Sequence, residues 1–172
     1  MSQDLRYPIG EFDLADFSSR EANFRTIREL PQRVIDAVTG LTDEQLDTQY
    51  RPDGWTVRQT VHHIADSHSN SLTRFKLALT EDDPPTIRPY YEERWAELGD
   101  SKLPIDVSIK MLESLHTRWT ALLESMSETD FKRSFIHPET GEWTLEAALA
   151  LYAWHSQHHT AHITHLCERN GW

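Results

Sequence analysis

The chain has 172 residues, 38% of them apolar and 26% charged, with one cysteine and a formal charge of −11. That length supports a buried core without cross-links, and a lone cysteine excludes both an intrachain disulfide and a cysteine-based zinc framework. Acid is in excess, no run of Lys or Arg occurs and no apolar stretch reaches membrane-spanning length, so neither nucleic acid nor a membrane is an expected partner.

The opening MSQDLRYPIG lacks the charged-then-apolar layout of a secretory leader, and a cytoplasmic protein is expected. Four long stretches then carry helical periodicity. In the first, Arg20 to Val38, the residues Phe24, Ile27, Leu30, Val34, Ile35 and Val38 recur mostly at three- and four-residue steps. Pro31 should kink or split it, and Gly40 supplies a stop. The second opens with TVRQ, Thr56 to Gln59, whose Thr and Gln have the spacing of a capping box. Its apolar face is Val57, Val61, Ile64, Leu72, Phe75 and Leu79. Residues 80–104 hold four prolines and an acidic run, leaving room for a short helix over Glu92 to Leu98. The third starts near Asp106 and carries Ile109, Leu112, Leu115, Trp119, Leu122 and Leu123. FIHPETGEW, residues 135–143, reads as a turn or small hairpin, and the fourth helix runs from a Thr144 cap to about Arg169. The pattern predicts an all-α protein, one domain over residues 1–172, folded as a four-helix bundle with a long connection between the second and third helices.

Five of the ten histidines fall within residues 151–165, LYAWHSQHHTAHITH. At about 100° per residue, Leu145, Ala148, Tyr152, His155, His159, Ile163 and Leu166 share one stripe. His155 and His159 therefore stand one turn apart on the same face, a spacing that lets two imidazoles bind one ion. Two unpaired imidazoles on an apolar stripe are costly to bury, and a shared ion resolves that cost. The bland alternatives are a chance pair on a solvated surface and a hydrogen-bonded core histidine. His158 and His165 project further round and are expected to be exposed. The second helix offers His62, His63 and His68 for a third ligand. His68 sits in the apolar stripe, where a packed, hydrogen-bonded ring is the default. Spacing alone leaves the choice between His62 and His63 open.

Over nearly its whole length the chain resembles the DinB-like superfamily of metal-binding four-helix bundles, and more closely its YfiT branch of metal-dependent hydrolases and bacillithiol transferases. The similar segments are YPIGEF, EQLDTQYRPDGWTVRQTVHHIADSHSNSLTRFKLALTE, IRPYYEERW, HTRWTALL and LYAWHSQHHTAHI. The resemblance implies metal ligands at His63, through the HIAD pattern, and at His155 and His159, through the His-x-x-x-His pattern. Many relatives carry Gln three positions after the second of these, where this chain has His162. That departure leaves His162 three roles: a group behind a ligand, a proton carrier or an extra ligand. The resemblance also implies a homodimer, and zinc or nickel as the one divalent ion per chain.

Three neutral imidazoles leave such an ion its double charge and an open coordination position. Such an ion would lower the pKa of bound water toward roughly 7 and would favour a bound thiol as thiolate. The leading expectation is a metal-dependent hydrolase acting on a small molecule. The alternatives are transfer of a low-molecular-weight thiol such as bacillithiol onto an electrophile, a non-catalytic metal-binding stress protein, and a pH-sensing histidine cluster. Asp66, three residues after His63, is placed to orient a ligand or act as a base. Asn70 and Arg74 share its polar face and are candidate contacts for an anionic substrate. Trp55 and Trp154 are expected to pack the bundle, Tyr90 and Tyr91 to shape a pocket mouth, and Cys167 to be a packed small residue.

Overall fold

The computed structural model describes residues 4–172, and the first three residues of the opening MSQDLRYPIG lie outside that range. A 3-10 turn, Leu14–Phe17, leads into helix α1, Arg20–Val38, whose N-terminus is capped by the Ser19 hydroxyl accepting from the Ala22 amide. A four-residue helix, α2 (Asp43–Leu46), precedes α3, Val57–Thr80. The Thr56–Gln59 capping box forms at the head of α3, with each side chain accepting from the other's backbone amide. Across the long connection lie α4, Glu92–Trp95, within the segment where a short helix was expected, and a second 3-10 turn, Gly99–Lys102. Helix α5 (Asp106–Ser125), the short α6 (Glu128–Phe131), the antiparallel hairpin β1 (Ser134–His137) and β2 (Gly141–Thr144), and α7 (Leu145–Asn170) complete the chain. The turn of FIHPETGEW is thus a true hairpin.

The four long helices form a bundle in which α1 packs on α5 and α7, and α3 packs on the same two. Helices α1 and α3 therefore face one another across one diagonal, and α5 and α7 across the other. Hydrogen bonds tie the long connection to the hairpin: the Ile87 amide donates to Ile136 O and the Ile136 amide to Pro85 O, both at 2.9 Å. Arg133 closes the end of α3 by donating to the carbonyls of Ala78 and Glu81.

Pro31 does not split α1. The helix is continuous through it, because a proline removes one i→i−4 bond and leaves the rest of the ladder in place. The carbonyl it orphans, that of Ile27, takes another donor: Nδ1 of His116, on α5, lies 2.6 Å away. Gly40, at φ +85°, follows the end of α1 as expected of a stop.

The apolar core divides in two. One part gathers Ile27, Phe75, Trp119, Leu145 and Leu149, and the other Leu30, Val61, Ile64, Leu112 and Ile163. On α3, α5 and α7 the residues between the two parts include His68, His116, and His155 with His159. A histidine layer crosses the bundle at the level of the Pro31 turn of α1.

Candidate metal centre

Helix α7 starts on Thr144, whose hydroxyl accepts from the Ala147 amide, and the stripe beginning at Leu145 turns into the bundle. It carries His155 and His159 to the face packed against α3, where His63 projects toward them. Nε2 of His63 and Nε2 of His155 are 3.2 Å apart, and one ring nitrogen from each of His63, His155 and His159 lies within 4.8 Å of the others. Two nitrogens bound at about 2.0–2.1 Å to one tetrahedral zinc would be roughly 3.3 Å apart, so the donor set fits a nitrogen-ligated divalent ion. Among the described residues no further His, Cys or carboxylate joins this group. Trp55 roofs it: its ring lies 4.5 Å from that of His63, centroid to centroid, and runs nearly parallel to His159 at 6.2 Å.

The structure separates His62 from His63. His62 turns to the long connection, with Nε2 3.0 Å from Leu103 O and Nδ1 2.7 Å from the Ser108 hydroxyl. A carbonyl can only accept, so Nε2–H donates to it and Nδ1 accepts from Ser108. Both nitrogens are engaged away from the cluster.

Burial sets the protonation of the cluster. Desolvation, with the neighbouring imidazoles adding to it, holds His63 down at about pKa 4 and His155 and His159 well below the usual value. The rings are neutral at pH 7, which is the form that binds metal. His68 is fully buried, as expected of a packed ring, with Nε2 3.2 Å from Nδ1 of His155 and Nδ1 3.1 Å from Nε2 of His116. The sequence reading passed over His116. Its signal was available: the residue lies four after Leu112 and three before Trp119, on the buried face of α5.

His162 is buried, with Nε2 3.1 Å from the Arg6 carbonyl, Nδ1 3.4 Å from Nδ1 of His159, and its ring stacked on Tyr50 at 3.9 Å. His158, expected at the surface, is only 7% exposed. The reason is the N-terminal segment, which lies over this part of α7. Trp154 donates to Gly10 O at 3.2 Å, and the Tyr7 and Trp154 rings both lie against His158. His165 keeps partial exposure. His158, His159 and His162 form a second grouping of ring nitrogens that shares His159 with the first. It draws on one helix only, and Nε2 of His162 already faces the Arg6 carbonyl.

The remaining candidates divide. Asp66 is partly exposed, and burial raises its carboxyl to about pKa 6. Among the described residues no hydrogen bond joins that carboxylate to His63, His155 or His159. Asn70 donates one Nδ2–H to Asp66 O at 2.9 Å, a bond within its own helix that leaves the second N–H and Oδ1 for other partners. Arg74 lines a cavity of about 740 Å³ together with Arg88, Tyr90, Tyr91 and His137. The cavity lining leaves out the three clustered histidines. Its link to them runs through Tyr152, whose hydroxyl is 3.5 Å from Arg74 Nη1 and whose ring centroid is 5.6 Å from that of His155. Trp55 and Trp154 are partly buried against the bundle, and Cys167 packs at the edge of the second core cluster.

The chain is similar to known proteins over nearly its full length. A protein of Bacillus mycoides (strain KBAB4), named "Putative metal-dependent hydrolase", is 56% identical over 99% of each chain. One of Bacillus cereus (strain 03BB102) with the same name is 57% identical over 98% of this chain and 99% of its own. The solved structure described as "YfiT from Bacillus subtilis is a probable metal-dependent hydrolase with an unusual four-helix bundle topology" superposes with a TM-score of 0.92 at 53% identity, covering 98% of both chains. The sequence profile of the DinB superfamily matches residues 26–163, from within α1 to near the end of α7, so this chain belongs to the DinB superfamily, on its YfiT branch.

Proposed function

We propose that the chain is a metal-dependent hydrolase whose centre is held by His63, His155 and His159. One observation carries the reading: three neutral nitrogen donors from two helices converge on one spot, with no fourth protein donor in the group among the described residues. A structural zinc site is closed by four protein ligands, whereas a catalytic one keeps a position for solvent or substrate. A divalent ion here, zinc or nickel, would supply Lewis acidity and lower the pKa of water or a thiol at that position.

The chain's own residues would do the rest. His162, anchored on the Arg6 carbonyl and stacked on Tyr50, stands behind His159 and fixes its ring; of the three roles left to it, this is the one its contacts support. With Nε2 turned to the Arg6 carbonyl, it is a poor fourth ligand. Trp55 shields one side of the cluster from water. Asp66, with a carboxyl poised near pKa 6, is the carboxylate closest in sequence to a ligand and the candidate general base. Arg74, on the cavity wall, would receive an anionic group of the substrate.

The test uses protein loaded with zinc or nickel, offered chromogenic esters and amides with and without a low-molecular-weight thiol, and separately an epoxide or chlorinated acceptor with bacillithiol. Thiol-independent, water-derived product supports the hydrolase. Conjugate formation with no hydrolysis overturns it in favour of thiol transfer. Tight metal uptake with neither product returns the centre to a non-catalytic role.

A further inference from the structure

The histidine layer has a direction. It begins at the carbonyl of Ile27, which Pro31 deprives of its helical donor, and a carbonyl can only accept. His116 must therefore carry its hydrogen on Nδ1, 2.6 Å away. In a neutral ring that leaves Nε2 bare, so the contact at 3.1 Å must be donated by His68 Nδ1. By the same reasoning His68 Nε2 is bare and accepts from His155 Nδ1 at 3.2 Å. The sequence of bonds ends at His155 Nε2, whose lone pair faces His63 Nε2 at 3.2 Å and the Ser67 hydroxyl at 3.4 Å.

Neutral rings are what this surrounding allows. His68 is fully buried and His116 only 2% exposed, and among the described residues no ion pair joins either to a carboxylate. An unpaired imidazolium in such a place is strongly disfavoured. The tautomers of three rings are then set by one carbonyl, and the alternative tautomer of any one of them breaks at least one bond.

We infer that His68 and His116 are positioning residues, which, anchored on the Ile27 carbonyl that Pro31 frees, hold His155 in the Nδ1–H tautomer and so present Nε2 as a ready metal ligand. The inference rests on the reading of His155 as a ligand. It gives work to a proline inside a helix and to two buried histidines that no ligand set needs. Partners behind a ligating histidine fix its ring and raise its basicity, and their loss typically weakens metal binding about tenfold to a hundredfold.

The first test needs no metal. In chelator-treated, ¹⁵N-labelled wild-type protein, long-range ¹H–¹⁵N spectra of the ring nitrogens should show His116, His68 and His155 each protonated on Nδ1. A His155 proton on Nε2, or rapid exchange between both tautomers, overturns the inference. The second test is zinc affinity by competition with a chromophoric chelator. His68→Phe removes donor and acceptor together and should bind zinc about tenfold to a hundredfold more weakly. His68→Gln keeps an amide that can accept from His155 and donate to His116, and should recover most of the loss. Equal losses in the two variants, or a His68→Phe affinity within about twofold of wild type, overturn the inference. If the Phe variant does not fold, the wild-type spectra decide alone. Wild-type protein that takes up no zinc at all would sink the metal centre itself, while the metal-free spectra still judge the relay.

Discussion

Nε2 of His63 and Nε2 of His155 face each other at 3.2 Å where α3 packs on α7. The adjacent His62 points the other way, to Leu103 O and Ser108. This contrast gives the first prediction. His63→Ala should lose bound metal by elemental analysis, with thermal stability changed little in the presence of a chelator. His62→Ala should keep about one ion per chain, yet lose about 2 kcal/mol of stability to denaturant, since it strands a buried hydroxyl and a carbonyl. The opposite pattern would move the centre to the other side of α3.

The periodic parts of the chain were legible before folding. Ile27, Leu30 and Val34 on α1 and Leu112, Trp119 and Leu123 on α5 all turned inward, and the Thr56–Gln59 box closed the head of α3. Spacing also brought His155 and His159 together, since the helix fixes their relation. What stayed hidden depends on contacts distant in sequence. His62 and His63 differ in angle by one residue, and only the placement of the connection beside α3 tells them apart. The burial of His158 is due to residues 4–10, some 150 positions away, which no pattern on α7 reveals. Pro31 left a kink or a split open for a local reason: it removes one hydrogen bond, and only the fold shows that the helix runs on and that His116 of another helix meets the freed carbonyl.

Asp66 should act on the reaction and not on the metal. Its carboxyl is raised to about 6 by burial, and it bonds to none of the clustered rings. Asp66→Asn should therefore leave metal content unchanged while kcat falls by roughly 10²-fold or more on whichever ester the loaded enzyme turns over. In wild-type protein the rate should rise with pH through about 6 as the base ionises, and this limb should vanish in the Asn variant. A variant that loses its metal instead would make Asp66 a structural neighbour of the site.

Arg74 sits on the cavity wall within reach of Tyr152, which adjoins His155. A cation so placed should select among substrates more than it promotes chemistry. Arg74→Ala should raise KM for carboxylate-bearing esters about tenfold while changing neutral analogues little, because a charge-assisted hydrogen bond contributes about 1.5–3 kcal/mol. Added salt should narrow the difference between the two substrate classes. Equal effects on both would show that the arginine only shapes the cavity.

His116 gives the stability of the metal-free protein a defined acid dependence. Burial holds its pKa at about 4, against 6.5 for an ordinary imidazole. Above pH 6.5 the ring is neutral in both folded and unfolded chains. Between 6.5 and 4 the unfolded chain takes up a proton that the folded one refuses, so the free energy of unfolding falls as the pH falls through this window. Below about 4 both states are protonated, and this contribution levels off. A shift of that size corresponds to roughly 3 kcal/mol at its full extent. Denaturant titrations in chelator at several pH values should show the decline, and His116→Phe, which cannot titrate, should make it shallower by about one proton. A slope unchanged in the Phe variant would mean that His116 takes up its proton in the folded state, and a charged ring at that point could not accept from His68.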